Sequence, residues 1–554
     1  MLGVPDAATF FRLAVLCSIL LALVVVVALD RPRGRWGRRL RSRFVLGLPW
    51  GTLVSATFVL TVYLVVQGGW EHWYSPVTIP FRAWSYFYPL GMATAAFAHS
   101  GAGHLIGNLV GTLVLAPIAE YAWGHYPRKR GVQTFTSPLT NPYVRGFVVF
   151  PAAVVVVGLF TALFALGPVI GFSGVVFAFA GFALVRYPLS TVVAVTAGNA
   201  LRTLYSSLQR PTVSASAGPS YSSPWWADIA IQGHAIGLLV GFLLGAWLIR
   251  IRSDDRPSAA RVAVGVALFG IAQSLWAVYW YRGGETYVLY RAAGLALVVS
   301  LATLVAATVA ASDRPLVPTP DDPDAVRAVP RWRIGAVVLL LCTAALTGPA
   351  VPVNLTTTAS GDLPGESDPI EVRGYEVTYA EDVPNGMVSV VDVEAFGETT
   401  QVNTSGVIVR NRERGIWMTA VSKGRLDFDG EQTVLLGGVG WRETVRVERR
   451  GWNAIGGGTT YKVNLVYGDR NETAFASPPV QADPVVAGRN VSVEPASRGF
   501  RLNVSLGNRS AVGPIPAVNE TASIGGLEFA NVDGRVYAIN GATRVRVARV
   551  ETYN

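Results

Sequence analysis

Apolar runs of about twenty residues, separated by short polar turns, fill the first two thirds of the chain, and the last third alternates apolar and polar residues at a much shorter period. A run of that length is what a helix needs to cross a bilayer. The pattern predicts ten spans, near 11–29, 44–66, 100–124, 147–167, 171–187, 189–206, 229–249, 261–281, 287–310 and 334–353, the sixth being the least hydrophobic. No small-residue cleavage site follows the first run and the next segment is basic, so it reads as a retained span rather than a removed signal peptide.

Basic residues beside the spans orient them. Residues 31–43 hold seven arginines in thirteen positions and place that turn inside. Alternation then puts Arg128, Lys129 and Arg130, Arg186, Arg250 and Arg252, and Arg331 and Arg333 on the same inner side. The N-terminus and everything after 353 are expected outside. The outer stretch 67–98 carries Trp70, Trp73, Tyr74, Trp84, Tyr86 and Tyr88 broken by Pro76, Pro80 and Pro89, which suits a segment at headgroup level.

From 354 onward the period is two. Segments 386–395, 405–411, 441–449, 459–468, 498–505 and 542–552 read as strands separated by Gly, Asn and Asp, enough for one sandwich or two small ones. This tail has seven N-x-Ser/Thr sequons, at Asn354, Asn403, Asn471, Asn490, Asn503, Asn508 and Asn519, a density that fits an outside location. It has no histidine and no cysteine, and no catalytic cluster is visible in it.

Composition sharpens the picture in three ways. Only 15% of residues are charged, against about 25% in soluble proteins, and mean hydropathy is +0.38, as several spans require. The net charge of +10 comes from the hydrophobic part: residues 1–353 hold 26 Lys and Arg against 12 Asp and Glu, whereas 354–554 hold 20 against 24. No basic stripe interleaved with stacking aromatics lies on a soluble face, so no nucleic-acid partner is expected. Cys17 and Cys342, both in apolar runs, are the two cysteines and cannot build a disulfide framework or a cysteine zinc site.

All five histidines, His72, His99, His104, His125 and His234, lie in the membrane half. Ionisable groups in spans are costly and mark function. The fifth span opens with Gly171-Phe172-Ser173-Gly174 at a short break. Backbone N–H groups at a helix start lack intrahelical partners and can hold an oxyanion beside the Ser oxygen. The seventh span begins Gly233-His234-Ala235-Ile236-Gly237 and runs to Gly241 and Gly245, a stripe that permits close packing. Packed on the fifth span, it brings His234 level with Ser173, and imidazole has the pKa of a base for serine. No carboxylate is expected beside the imidazole, so the prediction is a dyad. In the third span His104 and Asn108 are four apart, on one face, and can donate to an oxyanion. A His/His/Asn metal site is the rival, disfavoured because H-E-x-x-H and a nearby carboxylate ligand are missing. No metal and no cofactor are expected.

Together these residues resemble the rhomboid intramembrane protease family, whose pattern is H-x4-H-x3-N in one helix, G-x-S-G at the start of a second and A-H-x2-G-x3-G in a third. The counterparts are His99, His104 and Asn108; Gly171, Ser173 and Gly174; and His234, Gly237 and Gly241, over about residues 44–250. The resemblance implies a six-helix core that cleaves peptide bonds in or beside transmembrane helices. It makes Ser173 the nucleophile, His234 the base and His104 and Asn108 the oxyanion donors, with His99 supporting. Gly171 and Gly174 would shape the turn, Gly237 and Gly241 would bring the catalytic helices together, and the loop 207–228 would cap the site. Phe177 stands where the family often has a Tyr stacked on the His, Gly233 replaces an Ala, and the family's Trp-Arg pair is matched only loosely by Arg82 and Trp84. His72 and His125 read as structural or incidental.

The expected organisation is an extra span and basic loop in 1–43, the catalytic core in 44–250, three further spans in 251–353 and an all-β extracytoplasmic domain in 354–554. The class is a polytopic α-helical membrane protein of the cell membrane with a β domain. Its partners are the lipid bilayer and transmembrane protein substrates, and 354–554 is a candidate surface for envelope or substrate contacts. The alternative is a non-catalytic rhomboid-like binder, or an envelope-associated interaction protein acting through its β domain. A transporter is disfavoured by the near absence of charges in the spans and of a clear inverted repeat.

Overall fold

The computed structural model describes residues 6–31, 33–127, 135–213, 219–227, 229–252, 257–310, 330–331, 334–336, 338, 363–365, 367–387, 394–395, 398–399 and 401–554. The helical part follows the predicted order: α1 (Ala7–Asp30), α2 (Arg35–Arg43), α3 (Trp50–Val66), α4 (Ala102–Trp123), α5 (Pro142–Leu163), α6 (Ser173–Arg186), α7 (Pro188–Gln209), α8 (Ile231–Arg252), α9 (Ala259–Ala272) and α10 (Arg291–Ala310). Five of these, α1, α4, α5, α8 and α10, are long and apolar enough to cross a membrane, and α3, α6 and α9 are shorter apolar helices. The helix α7 is long but more polar, as its sequence suggested.

Local chemistry sets the boundaries. Asp6 caps α1 by accepting from Thr9 N at 2.8 Å, and Asn141 caps α5 by accepting from Tyr143 N at 3.0 Å. Pro142 and Pro188 occupy first helical positions, where a missing N–H costs nothing. A π-turn at Arg145–Val149 precedes Pro151 in α5, and another at Val62–Val66 ends α3. Arg12 of α1 donates to Leu208 O and Gln209 O at the end of α7, joining two ends that the alternation places on one side.

Two span boundaries are corrected. The predicted 261–281 and 287–310 are helical only as α9 and α10; between them Tyr279–Tyr281 pairs antiparallel with Tyr287–Leu289 in a hairpin. The helix stops because Gln273-Ser274 breaks it, with Ser274 left-handed, and because the aromatic run beyond favours strand. The predicted span 334–353 lies outside the described residues except for 334–336 and 338.

The β part is antiparallel and has two cores. In the first, β1 (Ile370–Val372), β2 (Tyr375–Pro384), β3 (Asn403–Asn411) and β4 (Ile416–Ser422) face β5 (Glu431–Gly438), β6 (Trp441–Ala454), β7 (Thr459–Tyr467) and β8 (Arg470–Ala476) across Val377, Val409, Val447 and Val463. In the second, β9 (Asn490–Pro495), β10 (Phe500–Leu506) and β11 (Arg509–Pro514) face β12 (Thr521–Ile524), β13 (Leu527–Val532), β14 (Arg535–Asn540) and β15 (Thr543–Val550) across Val491, Leu502, Phe529 and Val547. The fourteen-residue β6 belongs to both, pairing with β5 in its first part, with β7 over Arg446–Asn453 and with β15 at its end. Predicted strands 405–411, 441–449, 459–468, 498–505 and 542–552 all fall on observed ones. Of 386–395, residues 388–393 lie outside the described ones.

The two parts share a hydrophobic cluster. Ile79, Trp84 and Tyr88, from the loop between α3 and α4, pack with Tyr375, Leu436 and other residues of the first β core. Arg414 stands over the Tyr88 ring at 5.8 Å, and Val77 fills the space beside Gly437. This corrects the reading of 67–98 as purely a headgroup-level segment: Trp70, Tyr74 and Phe87 are exposed, but Ile79, Trp84 and Tyr88 belong to a protein core. The short helix α11 (Lys423–Asp429) touches the loop before α8, where Arg425 donates to Tyr221 O at 2.9 Å and Tyr221 Oη lies 3.1 Å from Ser422 Oγ.

Candidate active site

Helix α6 has fourteen residues, about 21 Å of helix, against a hydrocarbon core of about 30 Å. Its first residue, Ser173, directly follows the turn formed by 164–172. That turn is pinned on three sides. Gly171 N donates to Ala95 O at 2.8 Å, Ala83 N to Val169 O at 3.1 Å, and Leu166 N to the Gln232 side chain at 2.8 Å.

Two glycines, Gly171 in the turn and Gly174 at the second position of α6, sit close against neighbouring helices. Gly171 has φ +127°, and a Cβ there would stand 2.4 Å from His104 Cε1 and 3.6 Å from Asn108 Nδ2. The turn thus lies directly on the face of α4 that carries these two side chains. At Gly174 a Cβ would press on Thr161 of α5 at 3.1 Å.

Helix α8 packs on α6 through backbone. A Cβ at Gly237 would lie 1.9 Å from Gly174 O, and one at Gly241 would lie 2.1 Å from Ala178 O. From the other side, a Cβ at Gly181 would lie 2.2 Å from Leu238 O. This approach brings His234 Nε2 to 2.8 Å from Ser173 Oγ. The imidazole lies flat on Phe177, which in turn meets Phe269 of α9 edge-on at 5.5 Å. His234 Nδ1 is buried and has no hydrogen-bond partner among the described residues.

The α4 face is built from the other expected residues. His104 Nδ1 lies 3.0 Å from Ser100 Oγ, which leaves Nε2 directed toward the Gly171 turn. Asn108 is buried, and its Nδ2 has no partner among the described residues. His99 is fully buried behind His104, with ring centroids 5.1 Å apart. Gln67, at the end of α3, clamps the His99 backbone, accepting from its N–H and donating to its carbonyl, both at 2.7 Å. Arg82 reaches Pro168 O, within the turn, at 3.4 Å, while Trp84 turns away to donate to Ile79 O. Ser173, His234, His104, Asn108, Gly171, Gly174, Phe177, Gly237, Gly241 and His99 are thus gathered in one region. Among the described residues no group of three or more His, Cys, Asp or Glu is placed to hold a metal.

Sequence reasoning missed Ser100, Gln67, Thr161 and Gln232, polar residues with no motif to single them out. It also overlooked a carboxylate. Glu120 is fully buried in α4, accepting from Gly51 N, Thr52 N and Thr52 Oγ1 at 2.7–2.8 Å and from His125 at 2.5 Å. It does not reach His234, because it sits sixteen residues, about 24 Å of helix, from His104. His125 is not incidental, since its Nδ1 accepts from Val45 N at 3.0 Å.

Helices, turn and β part define a polytopic helical membrane protein with a β domain. The family model of the rhomboid domain matches residues 87–251, and further helices and the C-terminal β region lie outside that match. No curated protein and no solved structure matches the chain.

Proposed function

We propose that the chain is an intramembrane serine endopeptidase that cleaves peptide bonds in or beside transmembrane helices of membrane proteins. The observation that carries this reading is the 2.8 Å approach of His234 Nε2 to Ser173 Oγ at the start of a short helix. Ser173 Oγ attacks the scissile carbonyl while His234 takes its proton, then returns it to the leaving amine. The oxyanion is met by Asn108 Nδ2, His104 and the first N–H groups of α6, donors that are fixed before substrate arrives. Water then releases the acyl group by the same proton transfers. A helix must unwind to offer its carbonyl, so substrates carry a helix-breaking segment near the cleaved bond.

In this reading residues 44–250 form the catalytic core, 1–43 and 251–353 add spans, and the β domain from 354 lies outside the cell membrane. The test is reconstitution with a single-span model substrate, comparing wild type with Ser173→Ala and His234→Ala by gel. Product from wild type alone supports the dyad. Equal product from all three means another nucleophile or a contaminant. No product from any, across a panel of substrates with small residues and helix breakers, favours a non-catalytic binder.

A further inference from the structure

The inner turn between α1 and α3 holds more order than orientation of the spans requires. From 31 to 50 there are seven arginines and no acidic residue. Arg35–Arg43 is helical, and at 100° per residue Arg35, Arg38, Arg39 and Arg41 fall on one broad arc. Trp36 and Leu40, one turn apart, share the opposite face and are 47% and 43% exposed. Among the described residues none of those four arginines pairs with a carboxylate; Arg35 and Arg38 reach only the backbone carbonyls of Asp30 and Arg33.

The helix cannot leave the membrane surface. It is bounded by α1, ending at Asp30, and by α3, starting at Trp50. Its end is fixed to the core: Arg43 stands over the Tyr121 ring at 5.5 Å, its carbonyl accepts from His125 N at 2.8 Å, and Phe44 is buried against Tyr121 and His125. An arginine arc opposite an exposed Trp-Leu face is the arrangement of a helix lying in the interface, with its apolar side in the acyl boundary and its cations among headgroups.

We propose that α2 binds anionic phospholipid headgroups at the inner membrane surface through Arg35, Arg38, Arg39 and Arg41, with Trp36 and Leu40 inserted beside them. A basic residue near an anionic surface contributes about a fivefold gain in binding. The site commits to lipid because its apolar face and both of its ends belong to the bilayer. Orienting the spans needs only charge and is indifferent to which face carries Trp36 and Leu40; lipid binding depends on both.

The test uses the full chain in nanodiscs with spin-labelled phosphatidylglycerol or phosphatidylcholine, reading relative association by electron paramagnetic resonance. Wild type is expected to prefer phosphatidylglycerol by about tenfold or more. Replacing all four arginines (R35Q, R38Q, R39Q, R41Q) is expected to bring the preference below about threefold. Trp36→Ser with Leu40→Ser weakens it while leaving the charge intact. Independently of any variant, raising salt from about 0.05 to 0.5 M with wild type must erode the preference. A wild type with no preference, a salt-insensitive preference, or a four-arginine variant equal to wild type overturns the proposal.

Discussion

Phe177 lies flat against His234, with ring centroids 4.2 Å apart and planes within 8° of parallel. Among the described residues no side chain bonds Nδ1, and this stack and the Ser173 contact hold the imidazole. An aromatic stack is worth about 0.5–1.5 kcal/mol, so Phe177→Leu should lower kcat about two- to tenfold, with KM nearly unchanged. Phe177→Tyr keeps the ring and should retain most activity. Steady-state cleavage of a reconstituted substrate checks both.

Asn108 Nδ2 is a buried donor facing the turn that carries Ser173. If it serves the oxyanion, Asn108→Ala should cost about 10²–10³ in kcat while leaving substrate binding and thermal stability close to wild type. Labelling of Ser173 by a serine-directed phosphonate separates this outcome from collapse of the site, because a folded variant still reacts, only more slowly.

Gly241 meets Ala178 O with no room for a methyl group. Gly241→Ala should force α6 and α8 apart, destabilising the protein by about 1–3 kcal/mol and removing activity although Ser173 and His234 are untouched. A thermal melt in detergent, run beside the cleavage assay, reads both effects. A variant with wild-type melting and activity would mean that the helices do not approach this closely.

Glu120 ties the start of α3 to the end of α4. Glu120→Ala leaves the Gly51 and Thr52 N–H groups and His125 without their acceptor, and should cost about 3–5 kcal/mol of stability. Glu120→Gln keeps one acceptor oxygen and should cost less. The order of melting temperatures, wild type above Gln above Ala, is the expected result.

The apolar helices up to residue 310 and the three clustered motifs were legible because membrane helices announce themselves by composition, and because G-x-S-G, H-x4-H-x3-N and the glycine stripe each fix residue type and spacing together. Helix ends were less legible: the aromatic run Trp276 to Tyr281 is apolar enough to extend a span, but its strand preference and the Gln273-Ser274 break decide otherwise. Residues acting through single hydrogen bonds, such as Gln67 on the His99 backbone, carry no periodic signal. Glu120 was hidden because one carboxylate in an apolar run scarcely changes hydropathy, and its meaning depends on N–H groups nearly seventy residues earlier. The docking of Ile79, Trp84 and Tyr88 into the β core was invisible for a similar reason, since aromatics beside a membrane have a ready reading as interface anchors.

That docking has a consequence for biosynthesis. Trp84 leaves the ribosome roughly 300 residues before Tyr375 and Leu436, the groups that bury it. During that interval Ile79, Trp84 and Tyr88 lack the strands that bury them, and the final shape of their loop waits on the first β core. Premature termination before the first β core is complete would therefore yield inserted helices whose outer wall is unfinished, a natural target for membrane quality control rather than a smaller working copy.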